Sequence, residues 1–309
     1  MRRFLLRRIG QVIGTVFGVV TLIFFLQRLT GDPTYLLVPE TATQADIDAM
    51  RAALGFDRPL FIQYLAFLKQ IASFDLGRSV IQNVPVWDII ASRLPYTLQL
   101  AGGALLVACG LGIPIGVLLA LYRDHPASRL LASVVLAAQS MPTFWSGIIL
   151  IMIFAVTLGW LPPSSTGGIE HLIMPSLALG LLSMATFARI TRTALLDELS
   201  KDYVRTARSR GVPMGLLLRR HLARNASIPV ITVAALEISN LLAGAVIVET
   251  VFAWPGLGQV TVQSILARDF LVVQGIVILG AFVTVALNLA ADLLYSAVDP
   301  RIRLDGSRR

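Results

Sequence analysis

Acidic side chains occur in or beside two long apolar stretches of this sequence, Glu237 and Glu249 in one stretch and Asp292 in another. An ionised carboxylate in the hydrocarbon core of a membrane costs several kcal/mol, so it commonly faces a polar path or a partner side chain. Because Ser239 and Asn240 stand beside Glu237, we predict that these three side chains line a polar path through the membrane. A structural hydrogen bond to a neighbouring helix is the alternative, which stays open for Glu237 and is favoured for Asp292.

No pattern for nucleotide or metal chemistry accompanies these carboxylates. A phosphate-binding loop needs a glycine-rich turn that leads into Lys-Ser/Thr, but neither Lys69 nor Lys201 follows a glycine. His125, His171 and His221 are widely separated and show no metal-ligand spacing. The sequence also lacks a nucleophile elbow and paired catalytic carboxylates. We therefore predict that the chain is not an enzyme and has no catalytic, cofactor or metal site.

Six long apolar runs hold these residues, in a chain that is 56% hydrophobic and 14% charged. Each run is about long enough to cross a hydrocarbon core of roughly 30 Å. The predicted fold class is therefore an all-α membrane protein with six transmembrane helices. The third run is longer than a span requires, so we expect part of it to leave the bilayer near Trp160–Pro163; Met141, in the same run, is assigned to the predicted path. The runs are Ile9–Gln27, Thr97–Leu121, Leu130–Pro163, Leu172–Ala188, Ile228–Val248 and Leu271–Ala291.

Basic residues are distributed unevenly among the segments that separate these runs. If the N-terminus is cytoplasmic, 19 of the 26 lysines and arginines lie in cytoplasmic segments and the other seven lie outside. This asymmetry orients membrane proteins, so we predict a multi-pass protein with both termini in the cytoplasm. The formal charge of +8 then reflects topology and contact with membrane lipid. Nucleic-acid binding is disfavoured because no soluble basic domain is present.

The segment Gly31–Leu94 is predicted to lie outside and to contain two amphipathic helices. Thr43 and Asp46 form a capping-box pattern at the start of the first helix, and Gly55 suits its C-terminus. After Pro59, apolar residues recur at helical spacing and predict the second helix. Packing of these helices on the spans is favoured over contact with a substrate.

The segment Ser200–Val230 is a strongly basic, helix-forming insert between two apolar runs. It predicts a helix over Tyr203–Arg210 that is closed by Gly211. We expect Pro213 to open a second short helix and Pro229 to restart the chain as the fifth span. A short helix fixed at both ends to spans is well placed to receive force from a partner. The candidate contact residues are Tyr203, Arg205, Thr206, Ala207, Arg208, Arg210 and Gly211.

A turn-rich break, Val251–Gly258, follows the fifth span, and Glu249 is expected near the outer end of that span. Trp254 suits the headgroup region of a membrane. Trp254, Pro255 and Gly256 are assigned to an outer loop or gate.

The basic insert resembles the cytoplasmic Glu-Ala-Ala loop of binding-protein-dependent ABC importers. Residues Arg205–Ala207 stand in the place of Glu-Ala-Ala, and Gly211 stands in the place of the family glycine. Arg224 replaces the family proline, a departure similar to the dipeptide/oligopeptide/nickel branch, whose pattern Asp202–Gly211 and Arg220–Pro229 fit nearly throughout. Further segments that resemble this branch are Gly31–Pro33, Leu54–Pro59, Asp75–Ser79, Pro175–Gly180 and Phe252–Gly256.

The resemblance covers almost the whole chain and is to the B-type permease subunit of that branch. It implies a type I importer (MetI-like) permease fold with an N-terminal extra span and an outer helical insertion, in a bacterial inner membrane. The implied partners are a C-type sister permease, an extracytoplasmic substrate-binding protein and two ATPase subunits that bind ATP and Mg and dock on the coupling helix. The implied domains are 1–30 (first span), 31–95 (outer insertion), 96–297 (transmembrane domain, with the coupling helix within 200–228) and 298–309 (cytoplasmic tail).

The resemblance leaves the substrate open. Peptides are the main expectation, and nickel chelates, glutathione or opine-like solutes are alternatives because the binding protein largely sets selectivity. An ion-coupled secondary transporter is the rival of a different class, supported only by Glu237 and Asp292. A scaffold membrane protein that moves no solute is the second rival.

Overall fold

Helices form most of the described structure. The computed structural model describes residues 2–29, 43–53 and 55–298, and within these ranges the only strand-like feature is an isolated bridge between Arg78 and Pro85. The predicted all-α fold class is therefore confirmed. The first helices are α1 (Arg2–Leu29), α2 (Gln44–Ala53), α3 (Leu60–Ala72), α4 (Val86–Leu121), α5 (Pro126–Ser140) and α6 (Thr143–Leu150, continued by a π-helical segment, Ile151–Thr157). The later helices are α7 (Ile169–Leu199), α8 (Asp202–Ser209), α9 (Met214–Leu217, continued by a π-helical segment, Leu218–Leu222), α10 (Ala223–Val251), α11 (Leu257–Leu266) and α12 (Phe270–Val298).

Several of these helices are long and apolar enough to cross a membrane. Within the described residues, α4, α7, the continuous helix Met214–Val251 and the Phe270–Ala291 part of α12 meet this condition one by one. Helices α5 and α6 meet it only as a pair, so the total is four spans, or five if the pair is one span. The apolar stretch described in α1, Ile13–Leu26, is shorter. The protein is thus multi-pass, and the count of six stays a prediction.

The third predicted run, Leu130–Pro163, is not a straight span. Helices α5 and α6 bend by 105° at the break between them, where Met141 and Pro142 have extended backbones with ψ of 129° and 139°. Proline has no backbone N–H and forces the residue before it out of the helical region, which explains the break at this position. The helical part of the run ends at Thr157, before Trp160, and the exit from the bilayer near Trp160–Pro163 stays a prediction.

The prediction that Pro229 restarts the chain is wrong, because Pro229 lies inside the uninterrupted helix α10. A proline removes one helical hydrogen bond, whereas unwinding the chain in a membrane would expose several backbone groups to lipid. Continuing the helix is therefore the less costly solution. Pro114 and Pro175 likewise lie inside helices α4 and α7.

The chain divides into two compact units. The first consists of the described residues up to Leu94 together with Val260–Val285. In its core, Phe24 of α1 packs with Phe67 of α3, and Tyr64 of α3 shares a 2.7 Å hydrogen bond with Thr21 of α1. Ile278 of α12 lies in the same core, so α3 packs on a helix that is long and apolar enough to be a span, as the preferred interpretation requires.

The predicted cap of α2 lies in the same unit. The backbone N–H of Thr43 donates to Asp46 Oδ2 at 2.9 Å, and Gly55 has a φ of +72° beyond the other end of the helix. The side-chain and backbone hydrogen bonds from Thr43 lower the pKa of the Asp46 carboxyl. The capping box predicted from the sequence is therefore present.

The second unit contains Pro95–Gln259 and the described residues from Ala286 onward. Close approach of α4 to α7 depends on small residues. A Cβ atom added to Gly112 would lie 2.5 Å from the carbonyl oxygen of Met184, and one added to Gly116 would lie 2.6 Å from that of Ala188. Gly-x-x-x-Gly spacing puts both glycines on one helix face, where membrane helices often meet. This contact fixes α4 against α7, the helix that supplies several residues of the candidate site.

Candidate functional site

The predicted coupling helix is α8, Asp202–Ser209, within one residue of the bounds expected from the sequence. It ends in a Schellman motif, in which the N–H of Gly211 donates to Arg208 O at 3.0 Å and the N–H of Val212 donates to Ala207 O at 3.2 Å. Gly211 has a φ of +73°, and a side chain there would cost about 1 kcal/mol or more. The predicted C′ position of Gly211 is confirmed.

One face of α8 is packed against the chain, and the rest of the helix is exposed. Val204 is buried against Leu217 and Leu222, and Ala207 is half-buried against the same cluster. Ala207, one of the candidate contact residues, thus packs its methyl group partly on the chain's own core. The exposed residues of the predicted contact are Tyr203, Arg205, Thr206, Arg208, Arg210 and Gly211.

A carboxylate that the sequence analysis missed fixes α8 to both neighbouring spans. Glu198, in the last turn of α7, is only 8% exposed. It accepts hydrogen bonds from Tyr203 OH at 2.5 Å, from Asn225 Nδ2 of α10 at 3.1 Å and from Lys201 Nζ, with which it also forms an ion pair. We name these four residues the Glu198 clamp. Partial burial, and then the hydrogen bond to Glu198, raise the pKa of the Tyr203 phenol.

A cavity of about 300 Å³ lies in the second unit, between the bend of α5 and α6, the middle of α7 and the middle of α10. Glu237 and Asn240, two of the residues assigned to the predicted path, line it. Ser239 and Met141 are not among the lining residues, although Gln139 and Thr143 on either side of the bend are. The lining residues are Gln139, Thr143, Leu179, Leu182, Ser183, Thr186, Glu237, Asn240, Leu241 and Gly244.

Two neutral groups contact the carboxylate in this cavity. Ser183 Oγ donates to Glu237 Oε2 at 2.6 Å, and Asn240 Nδ2 lies 3.4 Å from Glu237 Oε1. Glu237 therefore bonds to a neighbouring helix and also faces the cavity, and its part in a translocation path stays a prediction. Ser239 Oγ is buried without a hydrogen-bond partner among the described residues. The side chain of Asp292 lies outside the described residues.

Glu249, expected near an outer span end, is fully buried. It accepts a hydrogen bond from Thr97 Oγ1 of α4 at 2.7 Å and one from the backbone N–H of Gln259 at 3.0 Å. Thr97 Oγ1 in turn accepts a hydrogen bond from the N–H of Leu257 at 2.8 Å. A Cβ atom added to Gly256 would lie under 3.0 Å from the Glu249 carboxylate. Glu249 therefore fixes the shape of the turn that precedes α11.

The headgroup interpretation of Trp254 is wrong. The indole is 3% exposed, its Nε1 donates to Tyr96 O at 2.9 Å, and its ring meets the Tyr96 ring edge-to-face at 6.1 Å. A tryptophan beside a span can face lipid or turn inward, and here the Tyr96 carbonyl supplies the partner that a buried indole N–H needs. Trp254, Pro255 and Gly256 thus form a loop anchored on the helix bundle.

A multi-pass helical protein with a short, clamped helix between two spans and a polar cavity among its spans has the architecture of a transporter's membrane subunit. The family described as binding-protein-dependent transport system inner membrane component matches residues 112–304, and the N-terminal part of such membrane components matches residues 1–101. The chain belongs to this family. It is a permease subunit of an ABC importer of the inner membrane, and it is not an enzyme, because ATP hydrolysis resides in separate subunits.

Similar proteins cover the full length of the chain. A protein named putative peptide transport system permease, from Brucella abortus, is 39% identical over 314 residues, which cover 99% of this chain and 100% of the relative. The dipeptide transport system permease of Escherichia coli K12 is 36% identical, with 98% and 99% covered. The glutathione transport system permease of another E. coli strain is 38% identical, with 98% and 99% covered.

A solved structure shares the fold. The inward-facing structure of the MetNI methionine ABC transporter contains a chain that superposes with a TM-score of 0.60 at 20% identity, covering 68% of this chain and 96% of that one. The type I importer permease fold expected from the resemblance is therefore confirmed. The family implies ATPase and substrate-binding partners, and it indicates no cofactor in this chain.

Proposed function

We propose that this chain is the B-type permease of a peptide importer and forms the translocation path together with a C-type sister permease. The observation that supports this most directly is the full-length similarity to permeases named for peptide and dipeptide transport. Glutathione, itself a peptide, is the alternative that a specific relative favours. Nickel chelates and opine-like solutes remain alternatives from the resemblance alone. An ion-coupled secondary transporter is disfavoured by membership of a binding-protein-dependent family.

In this proposal both termini are cytoplasmic and the domain bounds are those expected from the sequence. A binding protein delivers the solute on the outer side, where the loop of Trp254, Pro255 and Gly256 acts as part of the outer gate. The solute then passes Glu237 and Asn240. Ser239 and Met141 belong to the same proposed path, although they do not line the cavity. ATP and Mg are bound by two partner ATPase subunits, and membrane lipid surrounds the spans.

We propose that α8 transmits the motion of an ATPase subunit to the spans. The exposed arginines Arg205 and Arg208 lie three residues apart on one helix face, where they can pair with carboxylates of a partner. The buried face, around Val204, and the Glu198 clamp join α8 to α7 and α10. A push on the exposed face would therefore move two spans, rather than only bend a loop.

Charge reversal on the exposed face tests this role. We expect the double change Arg205→Glu and Arg208→Glu to release the ATPase subunits and to reduce ATP-dependent uptake at least tenfold, because two attractive charge pairs become repulsive. The permease should still be inserted and paired with its sister subunit. The measurement is co-purification of the ATPases with the tagged permease, followed by uptake into proteoliposomes.

The matched control is Arg219→Glu with Arg220→Glu, two exposed arginines beyond α8 that undergo the same change in charge. If the arginines of α8 only attract anionic lipid, both pairs should have similar effects. Retention of the ATPases by the α8 variant, with normal uptake, would exclude α8 as the coupling element.

A further inference from the structure

The cavity between α5, α6, α7 and α10 contains a carboxylate, Glu237, that has no positive partner among the described residues that line it. Among the cavity-lining residues that the structure describes, Glu237 is the only charged one, and none is arginine, lysine or histidine. The hydroxyl of Ser183 and the amide of Asn240 are its two hydrogen-bonding partners. Neutral donors orient a carboxylate but do not cancel its charge, so a negative potential remains in the cavity.

The other polar groups of the cavity suit the same kind of ligand. Gln139, Thr143 and Thr186 each bring an oxygen that can accept a hydrogen bond. Leu179, Leu182 and Leu241 supply an apolar wall that reduces the local dielectric and strengthens the attraction between opposite charges. A carboxylate of a solute would meet repulsion here, whereas an ammonium group would find an opposite charge and several acceptors.

We propose that this cavity is a subsite for the ammonium group of the transported solute, with Glu237 as its counter-ion. The proposal rests on the importer function above and deepens it, because it assigns the permease itself a preference for solutes with a free amino group. Such a preference acts after release from the binding protein and does not depend on what that protein selects. Glu237 then acts as a specificity-determining residue in addition to lining the path.

A cysteine reporter in the cavity tests the charge. The assembled importer carries Thr186→Cys, with the native Cys109 replaced by alanine, and is treated with 2-aminoethyl or 2-sulfonatoethyl methanethiosulfonate, which are similar in size and opposite in charge. We expect the cationic reagent to react about tenfold faster or more, because a negative site concentrates cations by that factor. Glu237→Gln should abolish the preference, and Glu237→Asp, which keeps the charge, should retain it.

A second measurement identifies the ligand class. Ethylammonium and acetate, at equal millimolar concentrations, are tested for their ability to slow the reaction of the same cysteine with neutral N-ethylmaleimide. Ethylammonium should protect the cysteine and acetate should not, and the protection should be lost in Glu237→Gln. Equal protection by both ions, or protection by neither, would overturn the proposal.

The outcomes separate this proposal from the proposed function. If the sister permease supplies a cation to Glu237, or if the carboxyl is protonated, the two charged reagents will react at similar rates, and the subsite is wrong even if peptides are transported. If the charge preference is present but the complex imports no peptide, the peptide assignment fails and the cation subsite stands. Neither measurement requires knowledge of the natural solute.

Discussion

Glu237 and Glu249 lie about three turns apart on the same helix, α10, in opposite surroundings. Glu249 is fully buried and accepts hydrogen bonds from Thr97 and from the backbone of Gln259, so the protein itself satisfies the carboxylate. Glu237 is hydrogen-bonded to Ser183 and Asn240, but its carboxylate faces a cavity. The protein thus encloses Glu249, which gives that carboxylate a structural role, and leaves Glu237 open to the cavity, where we propose that it binds a ligand.

Removal of the enclosed carboxylate should have the largest effect on stability. Glu249→Ala leaves the Thr97 hydroxyl and the Gln259 N–H without their acceptor, and each buried donor left unsatisfied costs about 1–3 kcal/mol. We expect a clear fall in the melting temperature of the detergent-purified permease complex. The measurement is the fraction of tagged protein that stays monodisperse after heating to a series of temperatures.

Glu237→Ala is the matched control on the same helix. Water in the cavity can replace the lost carboxylate as a partner of Ser183, so we expect a much smaller change in the melting temperature. Equal destabilisation by the two alanine variants would show that both carboxylates are structural and would remove the distinction between the two regions.

A single methyl group added beside Glu249 should have the next largest effect on stability. In Gly256→Ala the new Cβ would lie under 3.0 Å from the Glu249 carboxylate, which therefore has to move or force the turn apart. Overpacking of this kind typically costs about 1–3 kcal/mol.

The control, Gly244→Ala, adds the same group at the cavity, where the nearest atom is Leu179 Cδ1 at 3.3 Å. Alanine also has a higher helix propensity than glycine, so the melting temperature of this variant should equal or exceed that of the wild type. A melting temperature for Gly256→Ala that equals that of the wild type would contradict tight packing of the turn around Glu249.

Local features of the functional regions could be predicted from the sequence. The helix α8 and its closure by Gly211 follow from residues within a few positions of one another, and so does the cap formed by Thr43 and Asp46. Such patterns are encoded in short segments because the hydrogen bonds that they form are local. The same holds for the apolar runs that became the long helices.

Partners distant in the sequence could not be predicted. Glu198 stands in a charged segment, where acids are usually exposed. Its link to α10 depends on Asn225, which is 27 residues away. Glu249 meets Thr97 across 152 residues, and Trp254 meets Tyr96 across 158. Patterns of hydropathy indicate that a residue lies near the end of a span, but not whether its side chain turns toward lipid or toward the protein.

The last comparison is between the hydroxyl donors of the two carboxylates. It includes the smallest expected effect on stability, that of Ser183→Ala. Thr97→Val keeps the shape of the side chain and removes its hydrogen bonds with Glu249 and with the N–H of Leu257, in a site closed to water, so we expect a cost of about 1–3 kcal/mol for each. Ser183→Ala removes the corresponding donor to Glu237, which water in the cavity can replace, so the cost should stay below about 1 kcal/mol. The melting temperatures of the two variants, measured side by side, check this order. Because Ser183 also orients the Glu237 carboxylate, its loss should weaken the protection by ethylammonium several-fold, whereas Thr97→Val should leave that protection unchanged. The reverse order of stability, or loss of protection in Thr97→Val alone, would show that the Glu249 site, rather than the cavity, affects binding of the ligand.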